Sequence, residues 1–149
     1  MRTRVAVMHG VNLDALDRRP AEHYGDLTYS KLERQIEVYA RELGLDVRFF
    51  QTNHEGEYIE ELHRVGDYAD ALLLNPGAWT HYAWAIRDAV EITGLPAVEV
   101  HLSDVKHRED WRRLSVIEDV CEASVSGQGV EGYRDALARL KEAMERRSS

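Results

Sequence analysis

Residues 5–8, 47–50, 71–74, 97–100 and 123–126 are short runs rich in β-branched and other apolar residues, and longer runs of helical periodicity lie between them. Leu32, Ile36, Tyr39 and Leu43 fall at helical spacing, with Thr28 placed to cap the start of a helix and Gly44 its end, so a helix is predicted over 28–43. Similar patterns predict helices over 57–68, 82–93 and 130–144. The order is therefore βαβαβαβαβ. Parallel neighbours need a crossover connection, so this order implies an α/β fold with a parallel sheet covered by helices on both faces. In such sheets the ligand crevice lies outside the carboxyl ends of the strands.

Size and charge narrow the possible ligands. A chain of 149 residues with 44% hydrophobic residues supports one core of ordinary size, and a single domain over 1–149 is expected. A net charge of −8 argues against a generic nucleic-acid or membrane binder, because both require a basic face. Any anionic ligand must then be held by local arginines. The single Cys121 excludes an internal disulfide framework, no run is long and apolar enough to span a bilayer, and the N-terminus lacks a signal-peptide pattern, so a cytoplasmic protein is expected. A charged tail is expected over about 141–149.

The loops after the strand candidates carry the chemistry. They read HGVNLDALDRRPAEHYG, QTNHEGE, NPGAWTH, HLSDVKHRED and GQGVEGY. Asn12, Arg19, Tyr24, Asn75, His81, His101 and Ser103 should converge at one edge of the sheet, with Arg112 further along. Such a crevice suits a small, oxygen-rich anion: serine and backbone N–H groups for a carboxylate, asparagine and histidine for hydroxyls or water, arginine for charge.

Other readings of the same residues fit less well. Gly127, Gly129 and Gly132 form a GxGxxG pattern, but after the last strand, with no chain left for the acidic ribose partner; helix–sheet packing through small residues explains them better. No GxxxxGK[ST] phosphate loop and no GxSxG nucleophile elbow occurs. Glu99 and His101 share a strand face near His107, but no third ligand joins them at metal-site spacing. His9, His23, His54, His63 and His107 are expected in ordinary surface or capping roles.

The motifs HGVNLDALDRRPAEHYG, NPGAWTHYAWAIRDA, EVHLSDVKHRED and GQGVEGY, in this order and spacing, resemble those of the type II 3-dehydroquinate dehydratases, small enzymes of the shikimate and quinate pathways. The resemblance covers residues 5 to about 140. It implies a flavodoxin-like three-layer α/β/α fold with strand order 2-1-3-4-5, a dodecamer built from four trimers, and no cofactor or metal. The implied reaction is reversible anti elimination of water from 3-dehydroquinate to 3-dehydroshikimate through an enolate. The base falls on Tyr24, activated by Arg19; a phenol with an ordinary pKa of about 10 needs a close cation to act near neutral pH, and arginine stays protonated while it does so. Asn12 would hold the water that stabilises the enolate. His101 would be the acid that protonates the departing hydroxyl, oriented by Glu99. The implied binding set is Asn75, His81, Leu102, Ser103 and Arg112, with Asp88 supplied by a neighbouring subunit.

The chain departs from the family pattern in places. His9-Gly10-Val11-Asn12-Leu13 stands where Asn-Gly-Pro-Asn-Leu is usual, Asp17 where glycine is usual, and Arg19-Pro20-Ala21 where Arg-Glu-Pro is usual. These fall in or beside a lid expected over about 17–26. Trp79, Tyr82, Trp84, Asp104 and the segment 114–119 also differ, the last adding Glu118 and Asp119 near an anion site. Two further readings follow: a dehydratase of a modified dehydroquinate analogue in secondary metabolism, and a non-catalytic oligomeric binding protein.

Overall fold

The computed structural model describes residues 2–148, apart from the side chains of His23, Tyr24 and Lys106. The elements are β1 (Arg4–His9), α1 (Ala21–Tyr24), α2 (Tyr29–Leu43), β2 (Asp46–Gln51), α3 (Glu55–Arg64), β3 (Ala71–Asn75), α4 (Trp84–Thr93), β4 (Ala97–His101), β5 (Ala123–Ser126) and α5 (Glu131–Ser148). All neighbouring strands are parallel, in the order β2-β1-β3-β4-β5. This is the expected flavodoxin-like sheet. Among the described residues no helix is long and apolar enough to cross a membrane.

Side chains alternate across the sheet and feed two cores. Val5, Val7, Ala71, Leu73, Val98 and Val100 pack with Leu32 and Ile36 of α2 and Tyr133 and Leu137 of α5. Ala6, Met8, Leu72, Leu74 and Ala97 pack with Tyr58 and Leu62 of α3 and Ile86 and Val90 of α4. The alternation continues to the strand ends: His9 and Asn75, paired across β1 and β3, follow the α2/α5 face, while Glu99 and His101 follow Ala97 on the α3/α4 face.

Local signals place the elements. The Thr28 hydroxyl accepts from the Lys31 N–H at 3.2 Å, and Gly44 ends α2 in the left-handed region at φ 74°. Gly132 is buried where α5 meets the sheet, and a Cβ there would make ordinary contacts with the Val125 and Val100 side chains at 3.4 and 3.7 Å. Three boundaries differ from expectation. The helix expected over 57–68 is α3, Glu55–Arg64, giving way to a 3-10 turn over Val65–Asp67. The run after β3 begins as a 3-10 turn over Gly77–His81, so α4 starts only at Trp84. The predicted tail is helical: α5 continues to Ser148, burying Ala143 and Met144, and Arg147 donates to the Gly94 carbonyl at 2.7 Å.

Gly10 sets the mouth of the sheet. Its N–H donates to the Asn75 carbonyl at 2.9 Å, and a Cβ on it would sit 2.3 Å from the Pro76 oxygen. Only glycine lets the loops after β1 and β3 run this close.

Candidate active site

At the carboxyl ends of β1, β3 and β4, one cavity of about 40 Å³ is lined by Arg19, Asn75, His81, His101, Leu102, Ser103, Arg108 and Arg112, among others. Seven of the sequence-derived candidates therefore meet there. Asn12 and Asp88 are not among the lining residues. Asn12 is exposed in the left-handed region at φ 69°, and its N–H donates to Asn53 Oδ1 at 2.8 Å. Asp88 is exposed on α4. The Tyr24 side chain lies outside the described residues.

Glu99 stands behind His101. It is fully buried, and His101 Nε2–H donates to its Oε2 at 2.5 Å. Thr80 Oγ1 also donates to Oε2, and Ser115 Oγ lies 2.8 Å from Oε1, with Ser124 Oγ at 3.4 Å. Burial pushes the Glu99 carboxyl up, but these donors, His101 foremost, hold it below its ordinary value. The strand spacing puts acid and partner on one face, and the carboxylate fixes the ring with its proton on Nε2. Nδ1 is then the nitrogen left to exchange a proton with a ligand.

His81 lies parallel to His101, ring centroids 6.5 Å apart, and Trp111 meets it edge-on at 5.3 Å. Its Nδ1–H donates to the Leu114 carbonyl at 2.6 Å, and burial lowers its pKa. A neutral ring with the proton on Nδ1 presents Nε2 as an acceptor, which suits a ligand hydroxyl.

The anion side is built from main chain and arginine. The Leu102 carbonyl accepts from Gly129 N–H and the Ser103 carbonyl from Gly127 N–H, each at 3.1 Å. Carbonyl and N–H of one trans peptide point oppositely, so the first bond turns the Ser103 N–H away from the β5–α5 loop. Ser103 Oγ accepts from Arg108 Nη1 at 3.3 Å. Arg112 stacks on Trp111 at 4.2 Å, and its buried Nε lies 2.7 Å from Glu109 Oε2 but off the N–H axis. That contact is an ion pair, and among the described residues the N–H has no aligned acceptor. Arg113 does not line this cavity; it sits 3.8 Å from Asp110 on the surface.

His9 overturns an expectation. It was assigned to a surface or capping role, yet it is fully buried, with Nδ1 3.0 Å from the Tyr29 hydroxyl and Nε2 3.0 Å from the Tyr133 hydroxyl. Asn75 Nδ2 donates to the same Tyr133 oxygen at 2.9 Å. The period-2 alternation of β1 puts residue 9 on the face of Val5 and Val7, and that signal was available in the sequence.

The family described as dehydroquinase class II matches residues 3–141. The chain belongs to this family. It is 46% identical to the 3-dehydroquinate dehydratase of Thermotoga maritima over 142 residues, covering 95% of this chain and 97% of that one. With the enzyme of the same name from Thermotoga neapolitana it shares 48% over 138 residues, 93% and 94% of the two chains. The crystal structure of type II dehydroquinase from Butyrivibrio crossotus superposes with a TM-score of 0.90 at 37% identity, covering 94% of this chain and 98% of that chain.

Several departures from the usual class II dehydroquinase pattern lie away from the cavity. Trp79 is buried edge-on against Tyr58, centroids 5.5 Å apart, and fills the α3/α4 core. Asp119 turns to Arg87 at 3.6 Å, and Glu118 lines a recess behind His101. Neither added carboxylate lines the main cavity. The polar residues missed in the sequence are Thr80, Ser115 and Ser124 around Glu99, because nothing in their spacing shows that two loops and a neighbouring strand close on one carboxylate.

Proposed function

We propose that the chain removes water from 3-dehydroquinate to give 3-dehydroshikimate, reversibly and by anti elimination through an enolate. The supporting observation is the cavity itself, where a Glu99-bound His101 lies beside a carboxylate-type cradle of Leu102 and Ser103 and three arginines. Tyr24 acts as the base: its phenolate takes the proton next to the ketone, and Arg19, which lines the cavity, stabilises that phenolate. The enolate oxygen is met by a water held by Asn12. His101 then gives a proton from Nδ1 to the departing hydroxyl, which leaves as water. Its other nitrogen stays bound to Glu99. Asn75, His81 and Arg112 hold the ring hydroxyls, and Ser103 with the neighbouring N–H groups holds the carboxylate. The 17–26 loop, which carries Arg19 and Tyr24, closes over the ring acid when it binds.

The assembly completes the site. Trp84, Asp88 and Ile92 recur every four residues on one outward face of α4, with Trp84 61% and Ile92 70% exposed. Such large apolar side chains fit a subunit contact that brings Asp88 to a neighbour's cavity, in trimers that associate into a dodecamer.

The test is direct. Purified protein mixed with 3-dehydroquinate should raise the ultraviolet absorbance of the conjugated enone, and Tyr24→Phe and His101→Ala should each lose nearly all of that rate. Variants as fast as wild type would overturn the residue roles. A wild type that binds 3-dehydroquinate without turnover would favour the binding-protein reading, and one that ignores it would favour an analogue.

A further inference from the structure

We infer that His9 is a positioning residue: through Tyr133 it locks the side-chain amide of Asn75 in the orientation that the substrate meets. The hydrogen bonds carry this in one direction only. Gly77 N–H points at Asn75 at 3.2 Å and can only donate, so the amide must turn Oδ1 to it and Nδ2 to Tyr133. The Tyr133 oxygen thus accepts from Asn75. Its single proton then goes to His9 Nε2, which must be bare. The ring proton therefore sits on Nδ1 and is donated to the Tyr29 oxygen. The Gly77 N–H, a donor only, thus fixes the sense of every bond from Asn75 to Tyr29. Reversing the amide would set its NH2 group against the Gly77 N–H.

Burial supports the same protonation state. His9, Tyr133 and Asn75 are 0%, 0% and 4% exposed, so each unmade bond leaves a polar group without water. A second ring proton would face a hydroxyl that already accepts from Asn75 and would leave the Tyr133 proton without an acceptor. The chain also explains why Asn75, at the end of β3, does not swing. It is held from β1, α2 and α5 together, while its remaining hydrogen-bonding capacity serves the cavity that it lines. The functional part of this inference rests on the proposed dehydratase reading; the orientation of the amide does not.

Two measurements separate those parts. Nitrogen-15 NMR of the protein without substrate should show His9 as the neutral Nδ1–H form with an unprotonated Nε2, and slow solvent exchange of the Asn75 side-chain NH2. In Tyr133→Phe and in His9→Phe that exchange should quicken, while His9→Gln, which supplies both an acceptor and a donor, should restore protection. A His9 ring protonated on Nε2, or an Asn75 amide indifferent to both variants, would overturn the inference whatever the substrate proves to be. With 3-dehydroquinate, His9→Phe and Tyr133→Phe should each lower kcat/KM by about 10- to 100-fold, as loss of an orienting partner commonly does, and His9→Gln should recover most of it. In an Asn75→Ala background the same two changes should add nothing further, because the group they position is gone. Additive losses would instead mark a purely structural role. Should His9→Phe not fold, Tyr133→Phe and His9→Gln carry the same comparison. If wild type shows no turnover while the NMR result holds, the substrate assignment fails and the positioning stands.

Discussion

Two buried titratable residues each make the folded state lose stability as pH falls, over different ranges. Burial takes His9 from its ordinary 6.5 down to about 3. The unfolded chain binds that proton below 6.5 and the folded chain does not, so stability is full above 6.5 and falls as pH drops from there toward 3. Thermal melts of His9→Gln should lack this slope. Glu99 is held below its ordinary carboxyl value near 4.5, so its contribution is present above 4.5 and is lost as pH falls through its lower folded value. Glu99→Gln should flatten the acid limb in that lower range and reduce kcat while changing KM little, which steady-state kinetics on 3-dehydroquinate would check. Ser115→Ala removes a donor from the same buried carboxylate and should cost about 1–3 kcal/mol in denaturant titrations. At this scale the sequence was readable where a residue's place follows from strand alternation, as for Glu99 and His101 on one face of β4. It was silent on Thr80 and Ser124, whose meeting with Glu99 is made by three-dimensional closure alone.

Elements are joined at the site by close backbone passage. Gly10→Ala forces the β1 and β3 loops apart, and because the obstacle is the Pro76 main chain, no side-chain rotation relieves it. Overpacking of this kind costs about 1–3 kcal/mol, or roughly 2–12 °C for a chain of this length, and calorimetry should find a loss in that range. Activity should fall with it, since the Gly10 N–H is bonded to the carbonyl of Asn75. The alternation of strands and helices could be read from hydrophobic period and caps, as with Thr28 and Gly44 around α2, whereas the strand order followed only from the family resemblance and the short α1 had no periodic signal. The ends were harder. The charged residues 141–148 resemble a solvated tail in sequence, but Ala143 and Met144 give their helix an apolar stripe, and Arg147 ties its end to Gly94.

For the whole molecule, the proposed subunit contact through the outward face of α4 sets what solution measurements should find. Sedimentation or light scattering should return about twelve times the 17.1 kDa of one chain. Trp84→Glu with Ile92→Lys should shift the population to smaller species and lower kcat/KM with it, if Asp88 of one subunit serves the cavity of another. The outline of the chain as one sheet between two helical layers was visible in its periodicity; the shared apolar face of Trp84 and Ile92 was not, because an exposed Trp84 looks like any other surface residue until the helix face is built.

Asn75 reaches the cavity from the α2/α5 side of the sheet, and His101 with Glu99 from the α3/α4 side. The two halves of the site therefore rest on different cores, and a change behind Asn75, at His9 or Tyr133, leaves the layer that anchors His101 and Glu99 untouched, so the amide and the imidazole should respond to mutation independently.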